Sequence, residues 1–154
     1  KRCLMTAQIL YPGQEYVIQA DMAECDFGMF ENKNYQELKD NPLYQQWIDS
    51  SGAMPFPGGE SQQSFRSRCV RGFAAAVEDA IENRISRAAM VVHGGTIMAV
   101  LERFAIPQHD FYDGQGKNGC GYEITLDEKM WKKGKKEVTV RQKLDFENTD
   151  LSKT

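Results

Sequence analysis

The sequence lacks the cysteine and histidine patterns that mark metal sites and disulfide frameworks. It contains four cysteines, Cys3, Cys25, Cys69 and Cys120. They lie far apart without a C-x-x-C pair, so neither a zinc site nor a dense disulfide framework is indicated. The only two histidines, His93 and His109, are too few for a histidine-rich metal cage. We expect no bound metal. We also expect the thiols to be reduced, which is typical of a reducing compartment.

Long apolar runs and an excess of positive charge are also missing. No apolar stretch approaches the roughly 18 residues that a membrane-spanning helix needs, and no signal peptide opens the chain. The net charge of -3 argues against a general binder of nucleic acids or membrane surfaces. We therefore expect a cytoplasmic protein with neither a nucleic-acid nor a membrane partner.

Two common motifs of nucleotide-binding and serine enzymes are absent. The chain contains no G-x-x-x-x-G-K-[ST] phosphate loop and no G-x-S-x-G nucleophile elbow. Gly114, Gly116 and Gly119 do spell G-x-G-x-x-G. A dinucleotide fingerprint follows a strand and opens a helix, whereas this one follows a predicted loop and leads into a predicted strand. We predict a flexible loop here and no nucleotide cofactor.

The composition that remains is that of an ordinary globular domain. Of the 154 residues, 41% are apolar and 27% are charged. This length is enough for one domain with a proper hydrophobic core. We assign a single domain to residues 1–146 and a polar tail to residues 147–154.

The stretch from Ala88 to Phe104 organises the prediction. Ala88–Val92 is a short unbroken apolar run, which predicts a strand buried on both faces. Helical spacing follows Thr96, with Ile97, Val100, Leu101 and Phe104 on one side. His93 is therefore predicted at the carboxyl end of a buried strand, where open α/β sheets bind their ligands.

The segment His93-Gly94-Gly95-Thr96 has the features of an anion site. The glycines let backbone N–H groups approach a ligand, and Thr96 is a competent N-cap for a helix whose N-terminus carries partial positive charge. Alternatively, His93 is a hydrogen-bonded histidine at a strand end and the glycines only make the turn. The spacing alone does not choose between these two interpretations.

The first half of the chain is predicted to be mostly helical. We predict a helix over Lys1–Leu10 and a short strand over Tyr16–Ala20. Further helices are predicted to begin at Asn34, with Glu37 in the capping-box position, and at Asn41-Pro42. Ser61 is predicted to cap the longest helix. Its apolar stripe is interpreted as core: Phe65, Cys69, Phe73, Val77 and Ile81.

Two strands are predicted to close the domain, Cys120–Leu126 and Glu137–Phe146. The connection between them is rich in lysine: Lys129, Lys132, Lys133, Lys135 and Lys136. A solvated hairpin turn that discourages edge pairing explains these lysines better than a nucleic-acid site does.

Glu24 and Arg2 are further candidates for chemistry. Glu24 follows a predicted strand, and its neighbours Asp26, Phe27 and Phe30 offer the like charge and apolar wall that suit a general acid. A solvated loop carboxylate is the alternative. The Arg2 guanidinium suits bidentate phosphate binding, although it could also be an ordinary surface residue.

Glu60 and Ser61 need no catalytic role, since both residue types are favoured at a helix start.

Four segments, in this order, resemble one known family. They are Lys1–Leu10, Glu24–Glu31, Gly58–Ser61 and Val92–Thr96. Together they are similar to the histidine phosphatase superfamily, the phosphoglycerate mutase-like proteins, and within it to the alpha-ribazole phosphatase type. No single motif is specific to this family. The four motifs in this order, over the first two thirds of the chain, are together specific to it.

The resemblance implies a three-layer α/β/α fold with a mostly parallel central sheet. It implies a phosphatase that hydrolyses a small phosphomonoester through a phosphohistidine, without a metal or another cofactor. Arg2 matches the phosphate-binding arginine of the family's R-x-x-x-T-A helix, and Glu24 matches the acid that protonates the leaving oxygen. His93 matches the second histidine, which hydrogen-bonds the phosphoryl group beside the Gly94 backbone.

The chain departs from the family pattern at two places. The family's Arg-His-Gly segment, whose histidine is the nucleophile, is absent, and His109 cannot replace it because it lies in a predicted loop. The aromatic-Glu-Gly that follows the acid is here Phe30-Glu31-Asn32, a mild change since Asn tolerates left-handed conformations.

Two explanations of the missing nucleophile are considered. We favour a natural protein that extends upstream by at least one βα unit, roughly 30 residues or more, because the chain begins without Met inside a helical pattern. The 154-residue chain is then expected to be inactive by itself. The alternatives are a non-catalytic relative that binds a phosphorylated ligand, or phosphoglycerate mutase activity. The oligomeric state is open, a homodimer being one option.

Overall fold

The computed structural model describes residues 1–145, which contain six α-helices and three strands. The helices are α1 (Arg2–Leu10), α2 (Tyr35–Leu38), α3 (Pro42–Asp49), α4 (Gln62–Glu82), α5 (Gly94–Phe104) and α6 (Glu128–Lys132). The strands are β1 (Ala105–Ile106), β2 (Gly121–Thr125) and β3 (Val138–Leu144). Short 3-10 turns lie at Ala20–Met22, Gly28–Phe30 and Phe111–Gly114. The predicted α/β fold class is confirmed.

Residues 146–154 are outside the described part. They include the end of the last predicted strand at Phe146 and the predicted polar tail.

The predicted helix starts in the first half are confirmed by their capping hydrogen bonds. The Asn34 side chain accepts from the Glu37 N–H while the Glu37 carboxylate accepts from the Asn34 N–H, which completes a capping box. Asn41 accepts the first free N–H groups of α3, with Pro42 at the first helical position. Ser61 accepts from the Ser64 N–H at 3.0 Å and starts α4. Local side chains therefore determine where these helices begin.

The sheet has the strand order β1-β3-β2. β1 pairs with β3 in parallel, Ala105 opposite Val138, and β2 pairs with β3 antiparallel. The two closing strands are therefore confirmed within the described residues.

The connection between β2 and β3 differs from the predicted hairpin turn because it contains α6. This short helix buries Trp131, which is 2% exposed, against the core. Several lysines of the connection are paired with acids: Lys132 with Glu128, Lys135 with Glu137 and Lys136 with Glu78. The pairing reduces the positive charge that a nucleic-acid site would need.

Two predicted strands are absent from the described residues. Ala88–Val92 and Tyr16–Ala20 have no ladder, and only the Ala20 end of the latter enters a 3-10 turn. Ala88–Met90 is exposed, so the predicted burial of Ala88–Val92 on both faces is also wrong. In the other segment Val17 is 85% exposed. An extended segment becomes a strand only when a neighbour completes its backbone hydrogen bonds, and within residues 1–145 no strand does so here.

The core consists of two apolar clusters that share α4 and α5. One cluster packs Phe73, Leu101 and Phe104 around Trp131 and Val138. The other lies beneath α2, α3 and the loop that carries Glu24. Its members are Cys25, Phe30, Leu38, Phe56, Phe65, Cys69 and Ala99. Because the stripe on α4 enters both clusters, its predicted role as core is confirmed, although Ile81 is only partly buried.

Among residues 1–145, no helix combines the length and apolar character needed to cross a membrane.

Candidate active site

His93 lies at the start of α5, but the helix begins earlier than predicted. His93 itself is the N-cap residue, with extended backbone angles, and Gly94 is the first helical residue. The prediction of Thr96 as the N-cap is therefore wrong. Because both glycines adopt helical angles, Thr96 lies in the first turn, fully buried, and its hydroxyl donates to the Met22 carbonyl at 3.2 Å. Thr96 thus fastens α5 to the loop that carries Glu24.

The structure brings three of the predicted site residues together. The Glu24 carboxylate oxygen Oε2 lies 2.9 Å from Nδ1 of His93 and 3.6 Å from a terminal nitrogen of Arg2. The His93 and Glu24 side chains are 18% and 33% exposed, whereas Arg2 is 80% exposed. One carboxylate is therefore held between an imidazole and a guanidinium at the helix N-terminus.

Space for a ligand lies beside this group at Gly94. Gly94 is exposed, and a Cβ built on it would meet no atom within 4 Å, so the space beside it is open. At Gly95 a Cβ would lie 3.0 Å from the Phe65 ring, which would have to move to admit a larger residue. The two glycines thus serve different purposes, one for access and one for packing.

The contact with Glu24 indicates which nitrogen of His93 faces a ligand. The Glu24 carboxylate lies 2.9 Å from Nδ1, so that side of the ring is occupied. Nε2 is the nitrogen left for a ligand, and it donates to an anion when the ring carries both protons.

Sequence reasoning missed the two residues that hold the Glu24 loop, Arg68 and Glu60. The Arg68 guanidinium, on α4, donates to the backbone carbonyls of Asp21, Ala23 and Glu24 at 2.8 to 2.9 Å. Its Nε also donates to Oε2 of Glu60 at 3.0 Å. The side chains of this ion pair are only 17% and 16% exposed.

The interpretation of Glu60 as only a helix-start residue is therefore incomplete. Its carboxylate accepts from the Asp26 N–H at 3.0 Å as well as from Arg68, and the Arg68 hydrogen bond lowers the pKa of Glu60. The only available sequence signal was an acid eight residues before an arginine. That spacing does not reveal that both side chains turn inward to the same loop.

Cys25, next to Glu24, is not a candidate nucleophile. Burial, together with the nearby Glu60 carboxylate, raises the pKa of the Cys25 thiol to about 12. A thiol with such a pKa carries almost no thiolate at neutral pH. The chemistry of this site therefore depends on its carboxylate, imidazole and guanidinium.

Close backbone packing fixes the loop against the segment before α4. Gly28 has φ of +54°, and the adjacent Met29 N–H donates to the Pro57 carbonyl at 2.8 Å. A Cβ on Gly28 would lie 2.3 Å from that same carbonyl oxygen. Asn32 adopts φ of 57°, a left-handed conformation that asparagine was expected to tolerate at this position. Glycine and asparagine here allow a path that other residues would strain.

We expect Gly28→Ala to destabilise the protein by about 3 kcal/mol, because it adds a steric clash to the cost of a positive φ. Gly13→Ala is the matched control, since Gly13 has φ of +77° and open space around its Cβ position. The control should lose only about 1 kcal/mol. Urea unfolding of both variants measures the difference, and equal losses would show that the close approach is not rigid.

His109 lies in the loop between β1 and the 3-10 turn at Phe111–Gly114, as predicted. It therefore provides no strand-borne histidine of the kind the family uses as a nucleophile.

Comparison with known proteins agrees with this fold. The family model described as histidine phosphatase superfamily (branch 1) matches residues 1–138. A crystal structure from Escherichia coli str. K-12 substr. MG1655, of a protein provisionally assigned as an alpha-ribazole-5'-P phosphatase, superposes with a TM-score of 0.75. It is 20% identical in sequence, and the match covers 94% of this chain and 68% of that one. No curated protein gives a significant match.

At that identity the superposition shows the fold, and the family model reaches most of the chain. The chain therefore belongs to the histidine phosphatase superfamily.

Proposed function

We propose that this protein is a phosphatase that hydrolyses a small phosphomonoester through a phosphohistidine. The observation that carries the proposal is the contact of one carboxylate, Glu24, with both His93 and Arg2 at the N-terminus of α5. Family membership supports phosphatase-type chemistry. A site of two cationic or polar donors around one carboxyl group suits a phosphoryl group and its leaving oxygen.

Arg2, His93 and Gly94 would bind the phosphoryl oxygens. The guanidinium offers a fork of donors that matches phosphate, and Nε2 of His93 and the Gly94 N–H offer further polar contacts. The end of an 11-residue helix adds partial positive charge at the same point. The side chain of Arg2 is mostly exposed and can turn from Glu24 to an incoming anion.

Glu24 would act first as a general acid and then as a general base. A phosphoryl group next to the carboxylate favours its protonated form, because like charges repel. In the first step a histidine nitrogen bonds to phosphorus, the ester P–O bond breaks and the Glu24 proton passes to the leaving oxygen. In the second step Glu24 takes a proton from water, the water oxygen bonds to phosphorus and the P–N bond breaks.

The nucleophilic histidine would be supplied by an Arg-His-Gly strand upstream of Lys1. The apolar segment Ala88–Val92 supports this, because it runs extended into His93 without a paired strand among the described residues. A strand beside it would complete the backbone hydrogen bonds and place its own carboxyl end next to His93.

A phosphate-binding relative without catalysis is the second candidate. It is favoured by one observation, that neither histidine of this chain stands in an Arg-His-Gly segment. The upstream sequence decides between the two, since a strand with another residue in place of that histidine supports the binder.

A cytoplasmic location and a metal-independent reaction are part of the proposal that the protein is a phosphatase.

The direct test is release of inorganic phosphate by protein that carries the upstream strand. The first substrates to assay are p-nitrophenyl phosphate and the alpha-ribazole-5'-P named for the Escherichia coli structure. The proposal fails if the extended protein is no faster than the same protein with His93→Ala.

We expect Arg2→Ala to weaken the binding of orthovanadate, a phosphate mimic, by about tenfold or more, as for the loss of a charged hydrogen bond. Titration calorimetry with the 154-residue chain measures the dissociation constant. Arg103→Ala is the control, because Arg103 lies at the other end of α5 against the Phe104 ring. Unchanged affinity in the Arg2 variant would remove Arg2 from the proposed site.

A further inference from the structure

We propose that Arg68 is a positioning residue that sets the Glu24 carboxyl against His93. This inference rests on the proposed function, in which Glu24 is the acid and base. The hydrogen bonds of Arg68 are with the backbone of the loop that carries Glu24 and with Glu60, and none is with a proposed reacting group.

The loop around Glu24 is held through its carbonyl groups. Arg68 donates to the carbonyls of Asp21, Ala23 and Glu24, and the Thr96 hydroxyl donates to the intervening carbonyl of Met22. Four consecutive carbonyls are thus bound by side chains of α4 and α5. A segment without a strand ladder or a long helix has few other means to keep one backbone path.

Glu60 keeps Arg68 in place and holds the other end of the same loop. The carboxylate pairs with the guanidinium and accepts from the Asp26 N–H, while the Glu60 N–H donates to the Asp26 carbonyl at 3.0 Å. The backbone on both sides of Glu24 is therefore tied to one ion pair. Because the pair is mostly buried, solvent screens it less than a surface pair.

The contact that Arg68 would control is short and specific. Glu24 reaches His93 Nδ1 at 2.9 Å while its own carbonyl accepts from Arg68 at 2.8 Å. A shift of the loop backbone by about 1 Å would break the side-chain contact, because hydrogen bonds weaken steeply beyond their normal range. Catalytic groups that act by proton transfer need this kind of positional accuracy.

Arg68→Lys is the informative change, because it keeps the charge but a lysine ammonium has only three donors and no planar fork. Arg71→Lys is the matched control. Arg71 lies on the same helix and touches the same loop through Asp21 at 3.6 Å, but its side chain is 65% exposed.

The readout is the Nδ1 signal of His93 in a long-range proton–nitrogen NMR spectrum of the chain. With only two histidines the signals are assigned by His109→Gln. Glu24→Ala defines the position of that signal without its acceptor. We expect Arg68→Lys to move the His93 signal towards that position, and Arg71→Lys to leave it unchanged. In a Glu24→Ala background, Arg68→Lys should have no further effect.

A general loss of stability would not produce this pattern, since it would not depend on the presence of Glu24. Where Arg68→Lys fails to fold, Glu60→Gln keeps the side-chain size and removes the negative charge that pairs with Arg68, and the same shift is expected. An unmoved His93 signal in a folded Arg68 or Glu60 variant would overturn the inference.

A kinetic measurement separates this inference from the proposed function. In active protein, Arg68→Lys should raise the ratio of kcat/KM for p-nitrophenyl phosphate to that for phenyl phosphate severalfold, in the same direction as Glu24→Gln. This ratio does not depend on the fraction of folded enzyme. If Glu24→Gln leaves the ratio unchanged, the proposed acid role fails; if only Arg68→Lys leaves it unchanged, the positioning role fails.

Discussion

The 154-residue chain is expected to show no turnover of p-nitrophenyl phosphate, and extension by the proposed upstream strand is expected to raise the rate at least about 1,000-fold. The physical reason is that the two histidines present are unsuited to the nucleophilic role. The Glu24 carboxylate lies 2.9 Å from Nδ1 of His93, which in the proposed mechanism binds the phosphoryl oxygens, and His109 lies in a loop. A phosphohistidine requires a third imidazole in line with the leaving oxygen.

The control for this experiment is the extended protein with its Arg-His-Gly histidine replaced by alanine. It should restore any stabilisation that the added strand provides without restoring activity. Turnover by the 154-residue chain that disappears in His93→Ala would contradict the proposed division of roles, because it would make His93 the nucleophile.

In active protein, His93→Ala is expected to lower kcat by about 100- to 1,000-fold for every ester, as for the loss of a donor to the transition state. Glu24→Gln should lower kcat/KM, which reports only the first step, about tenfold or less with p-nitrophenyl phosphate, whose leaving group departs without a proton. With alkyl phosphates the cost should rise to about 100-fold or more, since general acid catalysis supplies about that much. Steady-state kinetics with both ester types measure the contrast.

Glu78→Gln is the matched carboxyl control, because Glu78 pairs with Lys136 on the β3 side of α4 and lies outside the site. Its kcat should match that of the unmodified protein. Equal losses in the His93 and Glu24 variants for all esters would mean that both residues serve the same step, against the assigned roles.

The local signals in the sequence predicted most of the helices well. Asn34, Asn41 and Ser61 start their helices as predicted, because an N-cap acts on N–H groups only two or three residues away. The apolar stripe of α4 was likewise readable, since period alone determines which side chains share a face. β2 and β3 were found through their alternation and β-branched residues.

The strand predictions for Ala88–Val92 and Tyr16–Ala20 failed for one reason. Apolar and β-branched residues show that a segment can enter a sheet, but a strand also needs a neighbour in register. The described residues provide none for either segment. The connection between β2 and β3 was predicted as a hairpin turn and instead contains α6. The lysine-rich composition of this segment did not indicate that Trp131 packs into the core.

The candidate site likewise combines features that the sequence predicted with features that it did not. The order of Arg2, Glu24 and His93 along the chain, and the glycines after His93, were enough to select the residues and to predict the family, which is confirmed. Whether a carboxylate lies 2.9 Å or 10 Å from an imidazole depends on the path of a loop, and no local pattern encodes that path.

By itself, then, the sequence determined the caps, the periodic core faces and the residue types available for phosphate chemistry, because these depend on contacts within a few residues. The tertiary structure alone decided that Arg68 and Glu60 turn inward, that Thr96 binds Met22 rather than capping α5, and that Glu24 meets His93. These contacts join positions 8 to 74 residues apart, and only the packing of α4 and α5 against the loop brings them within hydrogen-bonding distance.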